Sequence, residues 1–269
     1  MSWLNKLLQT FFNFREKSDG DVVKPFLDHM EDLRWTLMKM LFALIVGMAV
    51  SFYFVTDLME VLKQPLAAID PALAKDMVAL RIVDVFVIRL ELAFFAGIVL
   101  SLPVLIYFLA SFILPALTRQ EKKFLLPGIL VSTLLFLAGV LASYYWLLPQ
   151  TLLFFYNLAI ESGIKMLWTW RDYLSFCSWL TIGAGLLCQL PIVMVALAML
   201  GMVDFKLLSK TRSYAITAIL ILCAIIAPSP DPMMLITLAM PTVALYEACI
   251  WIVWLIDRRK LRTARLRDI

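Results

Sequence analysis

The chain has 269 residues, of which 63% are hydrophobic and only 16% charged, with a mean hydropathy of +0.90 and a net charge of +4. A water-soluble domain of this length could not bury so much apolar surface, because it has too few polar residues to cover it. The composition therefore predicts an integral membrane protein and excludes an ordinary soluble globular domain.

Residues 1–24 predict an amphipathic or disordered N-terminal extension. Apolar side chains recur at helical spacing from Trp3 to Phe12, and no small-residue cleavage site follows them. This pattern favours a helix lying on the membrane surface over a cleavable signal peptide. A poorly ordered extension is an equal alternative, and residues 15–24 have the polar composition of a linker.

Six apolar runs follow, and each is interpreted as a membrane-spanning helix: 36–56, 89–114, 124–148, 172–200, 213–227 and 233–256. A helix needs about 20 residues to cross a hydrocarbon core of about 30 Å. The runs lack the alternation of a β-barrel, so their backbones must be satisfied within helices. The prediction is an all-α polytopic membrane protein, with a six-helix transmembrane domain at 25–257 and a basic cytoplasmic tail at 258–269.

Basic residues are distributed unequally between the two faces of this arrangement. Eighteen of the 24 lysines and arginines lie on the side of the two termini, and six lie on the other side. The excess of positive charge in cytoplasmic segments places both termini in the cytoplasm. The net charge of +4 reflects this sidedness, and nucleic-acid binding is not expected.

The shape is predicted from breaks in the spans. The fifth run has only about 15 residues, which a straight helix extends to about 22 Å. Pro103, Pro191 and Pro241 fall within the second, fourth and sixth runs, where proline kinks a helix. We expect a kinked, concave bundle in which spans five and six are short, with residues 57–88 forming an outer cap that contains a short helix.

Acidic residues flank two of the predicted cytoplasmic ends. Asp28 and Glu31 precede span one at the spacing of a capping box, which is an alternative to a peptide-binding role. Glu121 lies in the basic loop between spans two and three, where a solvated turn acid is the plain alternative. His29 is the only histidine of the chain, so a histidine-based metal site or a serine triad is excluded.

Two polar residues lie deeper in the predicted spans. An ionised side chain near the bilayer centre costs on the order of 3 kcal/mol, so it usually faces protein or water. Glu247, in span six, is therefore a functional candidate, either protonated or paired. Gln189, in span four, is explained equally well by a hydrogen bond between helices.

Several short motifs share a fixed order along this six-span frame. They are His29-Met30-Glu31-Asp32-Leu33-Arg34 before span one, Lys63-Gln64-Pro65-Leu66 after it, Ile88-Arg89-Leu90 at the start of span two, Phe112-Ile113-Leu114-Pro115-Ala116-Leu117 with Glu121-Lys122-Lys123 after span two, and Pro241 with Tyr246-Glu247 in span six. From about Phe26 to Ile256 the chain resembles the TatC family, the large multi-spanning subunit of the twin-arginine protein translocase.

The resemblance implies a core receptor subunit in the bacterial cytoplasmic (inner) membrane. It would recognise twin-arginine signal peptides of folded cargo at a cytoplasmic acidic patch. The residues carried over to that patch are Asp32, Leu33, Arg34, Phe112 and Glu121, with Glu31 and His29 adjacent. A carboxylate can form two parallel hydrogen bonds with a guanidinium, which lysine cannot copy.

The resemblance also implies partners: single-span A-type and B-type subunits along spans five and six, membrane lipids, and hetero- and homo-oligomeric assembly with export driven by the proton-motive force. Expected partner contacts in or near the membrane are Gln189, Asp231 and Glu247, and expected structural prolines are Pro65, Pro115 and Pro241.

The chain departs from the family pattern at several positions. Asp32 stands at the second glutamate of the first motif and is one methylene shorter. Gln189 stands where many members have an intramembrane glutamate, and it cannot ionise. Leu235 replaces a polar residue often found after the outer turn. These differences predict altered partner contacts.

Two other classes of function are alternatives. A secondary transporter of a small solute or ion would also combine kinked helices with Glu247, but it predicts repeated half-helices, and the sequence has no internal repeat. An intramembrane enzyme needs facing aspartates, an HExxH pair or a serine dyad, and none occurs. No GxxxxGK[ST] motif is present, so neither enzymatic activity nor a cofactor is expected.

Overall fold

The computed structural model describes residues 26–113, 125–163, 167–199, 203–226 and 232–267. In these ranges the chain is helical, apart from turns and one isolated backbone bridge, so the all-α prediction is confirmed. The helices are α1 (Phe26–Tyr53), α2 (Val55–Ile69), α3 (Pro71–Lys75), α4 (Asp84–Ile113), α5 (Leu125–Ala142), α6 (Leu148–Glu161), α7 (Trp170–Leu187), α8 (Leu190–Met199), α9 (Phe205–Lys210), α10 (Arg212–Ile226) and α11 (Pro232–Arg267).

Within the described residues, five segments are long and apolar enough to cross a membrane. They are Met30–Tyr53, Asp84–Phe112, Leu126–Glu161, Trp170–Ala198 and Leu235–Leu255. The fifth predicted span corresponds to α10, which has 15 residues, so a sixth crossing stays a prediction. The expectation that span six is short is wrong, because its apolar segment has 21 residues within a helix of 36.

The third span is longer than predicted. The sequence placed its end at residue 148, but a π-helical turn at Ser143–Leu147 joins α5 to α6, and the apolar segment has 36 residues. Pro149 follows the π-helical turn directly, as the second residue of α6, and the helical segment continues past it to Glu161. At 1.5 Å per residue the segment reaches about 54 Å, more than a bilayer core requires.

Proline interrupts only some of the spans. The fourth is divided at Cys188 and Gln189 into α7 and α8, directly before Pro191. Pro103 and Pro241 lie inside the continuous helices α4 and α11. Concavity of the bundle stays a prediction.

A cap of helices covers one end of the bundle, and we call this the cap end. It consists of α2, α3 and α6, and thus contains two helices in the segment where the sequence predicted one. The Tyr144 hydroxyl donates to the Val61 carbonyl at 2.7 Å, and the Tyr173 hydroxyl donates to the Leu62 carbonyl at 2.6 Å. Pro65 is buried in α2, and its structural role stays a prediction. These contacts attach the cap to the spans beneath it.

Helix α7 is the centre of the packing, whereas α1 lies at the edge. In an apolar stretch of 18 residues within the span that contains α7, 44% of the residues are buried, against 11% in the corresponding stretch of α1, which packs mainly on α4. Close approach to α7 depends on small residues: a Cβ on Gly185 would lie 2.8 Å from the rings and methyl groups of Phe136 and Val140 on α5. In a membrane the surrounding lipid is as apolar as the side chains, so helices associate through close packing. Small residues allow their backbones to approach closely.

Candidate functional site

The predicted patch has several members among the described residues, and most of these lie in the first turns of α1. Glu31 and Arg34 are exposed, Leu33 is 39% exposed, and Asp32 is half-buried. The Thr36 hydroxyl donates to the Asp32 carbonyl at 2.8 Å, a bond within the helix. This end of the bundle, opposite the cap, is called the Asp32 end.

Phe112 lies at the same end because α1 and α4 pack side by side. The two helices meet where Gly47 faces Gly97, and a Cβ on Gly47 would lie 2.8 Å from the Gly97 carbonyl oxygen. Asp32 precedes Gly47 by 15 residues, and Phe112 follows Gly97 by 15. At 1.5 Å per residue both lie about 22 Å along their antiparallel helices from this contact. Asp32, Leu33 and Arg34 therefore share one level with the half-buried Phe112.

The capping-box interpretation of Asp28 and Glu31 is wrong. Helix α1 already includes Phe26, so Asp28 lies inside the helix and is not its N-cap residue. The acidic residues nevertheless lie in the first two turns, where the positive end of the helix dipole favours negative charge.

Several predicted site residues lie outside the described residues. They are Glu121 and Pro115 between α4 and α5, and Asp231 between α10 and α11. His29 belongs to the backbone of α1, but its side chain is also outside the description. Their roles stay predictions.

Glu247 is paired. Its Oε2 forms an ion pair with Nη2 of Arg212 at 2.9 Å, with side-chain exposures of 33% for Glu247 and 49% for Arg212. Arg212 is the first residue of α10, and the neighbouring Tyr246 hydroxyl donates to the Leu208 carbonyl at 3.1 Å. The pair therefore joins α11 to the start of the short helix α10. Pro241 lies in α11, the helix of Glu247, and is exposed.

Gln189 forms a reciprocal pair with Ser132. Its Nε2 donates to the Ser132 carbonyl at 3.0 Å, and the Ser132 hydroxyl donates to its Oε1 at 2.5 Å. Gln189 lies in the break between α7 and α8, and Ser132 is 1% exposed in α5. The hydrogen bond between helices that the sequence left as an alternative is the observed arrangement.

Two polar contacts between helices were not predicted from the sequence. The buried Asp84 carboxylate accepts a hydrogen bond from Arg171 Nη1 at 3.1 Å. The Ser175 hydroxyl lies 2.8 Å from both carboxylate oxygens of Glu91. Both contacts join α4 to α7 across more than 80 residues of sequence, and an acid near the start of an apolar run gives no sign of such a partner.

Metal binding finds no support in the part of the chain that the structure describes. Within it, no three His, Cys, Asp or Glu residues are arranged to hold a metal ion. The arrangement at the Asp32 end instead offers carboxylates next to apolar and aromatic side chains, which suits a cationic and partly apolar peptide.

Comparison with known proteins identifies relatives over most of the chain. Residues 28–241 match the family model described as Sec-independent protein translocase protein (TatC). The protein of that name from Akkermansia muciniphila is 39% identical over 194 residues, which are 72% of this chain and 55% of the relative, so this chain spans about half of that relative's length. The Synechocystis protein is 31% identical over 238 residues, covering 88% of this chain and 91% of the relative.

Solved structures agree with these sequence matches. A crystal structure described as the twin-arginine translocase receptor TatC in DDM superimposes with a TM-score of 0.76 at 30% identity. It covers 84% of this chain and 99% of the solved one. A second crystal structure, described as the twin-arginine translocase receptor TatC, has a TM-score of 0.74 at 30% identity and covers 84% of this chain and 98% of the solved one.

Proposed function

The chain belongs to the TatC family of Sec-independent protein translocase proteins, and we propose that it recognises twin-arginine signal peptides of folded cargo at the Asp32 end. It is a membrane component of a protein translocase and not an enzyme. The observation that carries the proposal is the shared level of Asp32, Leu33, Arg34 and Phe112, where an anionic group and an aromatic ring lie on neighbouring helices.

The chemistry of these residues matches the ligand. Two adjacent arginines present two planar guanidinium groups. Each guanidinium can donate two parallel hydrogen bonds to one carboxylate. Asp32 supplies one such group from α1, and Glu31 lies next to it. Phe112 offers apolar contact to the hydrophobic stretch that follows the arginines in an export signal.

Glu121 is the second carboxylate of the proposed site. It is four residues before Leu125, where α5 begins, and nine residues after Phe112. We propose that Glu121 binds the arginine pair together with Asp32, because two carboxylates can each accept a pair of hydrogen bonds from one guanidinium.

The remaining assignments form part of the same proposal. Both termini lie in the cytoplasm, the protein resides in the bacterial cytoplasmic membrane, and single-span A-type and B-type subunits dock along spans five and six. Export then draws on the proton-motive force. The Arg212–Glu247 pair supports these contacts indirectly, because it positions α10 against α11.

The transporter alternative loses its main argument. It depended on Glu247 as a carboxylate within the membrane that was available to a solute or ion. Glu247 is instead paired with Arg212 at the start of α10. Among the described residues, no observation favours a solute path.

Binding of labelled peptides to the protein in lipid nanodiscs tests the proposal. A twin-arginine signal peptide is expected to bind more tightly than its twin-lysine counterpart. Glu121→Gln should weaken twin-arginine binding by about tenfold, or 1.4 kcal/mol. Glu60→Gln is the matched control, because Glu60 is an exposed acid at the cap end. Equal binding of the two peptides would refute the recognition function, and an unchanged affinity in Glu121→Gln would refute the site.

A further inference from the structure

Directly before α4, a short apolar turn protrudes from the cap end. Residues 80–83, called the apolar turn, contain Leu80, Ile82 and Val83, which are 68%, 101% and 59% exposed. Ile82 thus makes essentially no contact with the rest of the described chain. Three exposed aliphatic side chains within four residues form a contiguous apolar surface, which indicates an interaction site.

The turn is held firmly on both sides. The Arg81 N–H donates to Asp84 Oδ2 at 2.9 Å, and the Asp84 N–H donates back to the Arg81 carbonyl at 3.1 Å. The same buried carboxylate accepts a hydrogen bond from Arg171 at the start of α7. Upstream, the backbone of Val78 bonds to Trp168 and Trp170 at 3.2 and 3.0 Å. A turn fixed in this way presents its apolar side chains without an ordering cost on binding.

The apolar surface of the turn continues a stripe on α4. Phe86, Leu90 and Phe94, which follow at intervals of four residues, are 63%, 41% and 40% exposed. Residues four apart lie on one face of a helix, and this face belongs to a segment long and apolar enough to cross the membrane. The stripe therefore faces lipid, and Ile82 and Val83 extend it beyond the first residue of the helix.

Positive charge accompanies the stripe. Arg81 and Arg89 are both exposed, while the nearby Asp84 is already engaged by Arg171 and by the Arg81 backbone. Arginines at the ends of membrane helices extend their guanidinium groups to the phosphate level while their stems stay in apolar surroundings. Apolar tips next to arginines match the acyl-chain boundary and the phosphates of a lipid leaflet.

We propose that the apolar turn inserts Leu80, Ile82 and Val83 into the lipid leaflet at the cap end, where it anchors the start of α4 and the cap. The proposal concerns the opposite end of the protein from the signal-peptide site and does not depend on it. A partner helix or a second copy of the chain would compete for the same surface, and the experiment below distinguishes these occupants from lipid.

Site-directed spin labelling in nanodiscs of phosphatidylethanolamine and phosphatidylglycerol tests the insertion. Cysteines are introduced as Ile82→Cys, as Phe86→Cys for a lipid-facing reference, and as Ala72→Cys for an exposed control in α3. Protein without an introduced cysteine corrects for labelling of the native thiols. The ratio of collisions with oxygen to collisions with a water-soluble nickel chelate rises with depth in lipid.

We expect this ratio at position 82 to be several-fold higher than at position 72 and close to that at position 86. A ratio at position 82 equal to that of Ala72→Cys means that the turn lies in water and overturns the proposal. An immobile label that reaches neither reagent means that protein covers the turn, which overturns it equally. Unchanged melting temperatures of the three labelled variants show that the comparison is made on folded protein.

Discussion

Gly47 of α1 and Gly97 of α4 bring the backbones of the first two spans into direct contact. A Cβ added to Gly97 would lie 2.7 Å from the Met48 amide nitrogen and 2.8 Å from its Cα, and neither backbone atom can rotate away. This contact sets the relative height of the two helices. Because Asp32 and Phe112 lie equally far from it, the contact also determines that they share one end of the bundle.

Gly97→Ala should therefore destabilise the protein. The added methyl forces α1 and α4 apart, at a cost of about 1–3 kcal/mol. The melting temperature in detergent should fall by several degrees. Gly128→Ala is the matched control, because no atom lies within 4 Å of its added Cβ, and better helix propensity should leave it neutral or slightly more stable. Equal melting of both variants would contradict the close contact.

Ser132→Ala should remove a hydrogen bond that holds the break in span four. Gln189 Oε1 then lacks its donor, which we expect to cost about 1 kcal/mol in the membrane. Thr133→Ala is the control, since its hydroxyl bonds only to Ile129 in its own helix. The double variant Ser132→Ala with Gln189→Leu should recover part of the loss, because it leaves fewer unsatisfied polar atoms. Chemical unfolding measures the wild type, the control, the double variant and both single variants, Ser132→Ala and Gln189→Leu, and additive losses of the two single variants would argue against the pair.

Arg212 and Glu247 should show a modest coupling in a double-mutant cycle of Arg212→Gln and Glu247→Gln. Both side chains are partly exposed, so solvent screening limits the coupling to about 0.5–1 kcal/mol. Salt at about 1 M should reduce it further. Thermal unfolding at two ionic strengths provides the measurement, and a coupling of zero at low salt would show that the two helices are joined by other contacts.

Asp32→Asn should lower the affinity for a twin-arginine peptide by about tenfold, because the amide keeps the shape but loses the charge. Asp32→Glu should retain most of the binding, since it keeps the carboxylate and restores the glutamate of the family motif. Titration of labelled peptide in nanodiscs gives both values. Asp57→Asn, an exposed acid at the cap end, should have no effect, and a loss of the same size there would indicate a nonspecific response to net charge.

Phe112→Ala should lower the binding affinity for twin-arginine and twin-lysine peptides by the same factor. Loss of a partly buried ring removes apolar contact worth about 1–2 kcal/mol, which does not depend on the charged groups. A change confined to the twin-arginine peptide would instead mean that Phe112 positions a carboxylate. The same binding assay distinguishes these outcomes, with Phe112→Leu expected to retain much of the affinity.

Much of the fold could be predicted from patterns within single segments. The apolar runs of α1, α4, α7 and α11 are evident because each contains enough consecutive apolar residues to cross a bilayer. The end of span three was placed too early, at residue 148, whereas the apolar segment continues to Glu161. The prediction could not include the π-helical turn, which has no clear sequence signal.

The candidate site was predicted less completely. The α1 motif and Phe112 lie at the same end of the bundle, and their role as a patch stays a prediction, whereas the capping box at Asp28 was wrong because the helix begins earlier. The partners of Gln189 and Glu247 could also not be predicted from the sequence. Each pair depends on how far one helix is shifted and rotated against another, and local periodicity contains no information about that shift.

Hydropathy and motif spacing are properties of continuous segments, so they were enough to identify a helical membrane protein of the TatC family. Which polar groups meet became evident only from the packing of the helices: Arg212 with Glu247, Ser132 with Gln189, and Asp84 with Arg171. Side chains far apart in the chain become neighbours only when packed helices, with glycines at their closest contacts, set one height and rotation for each span.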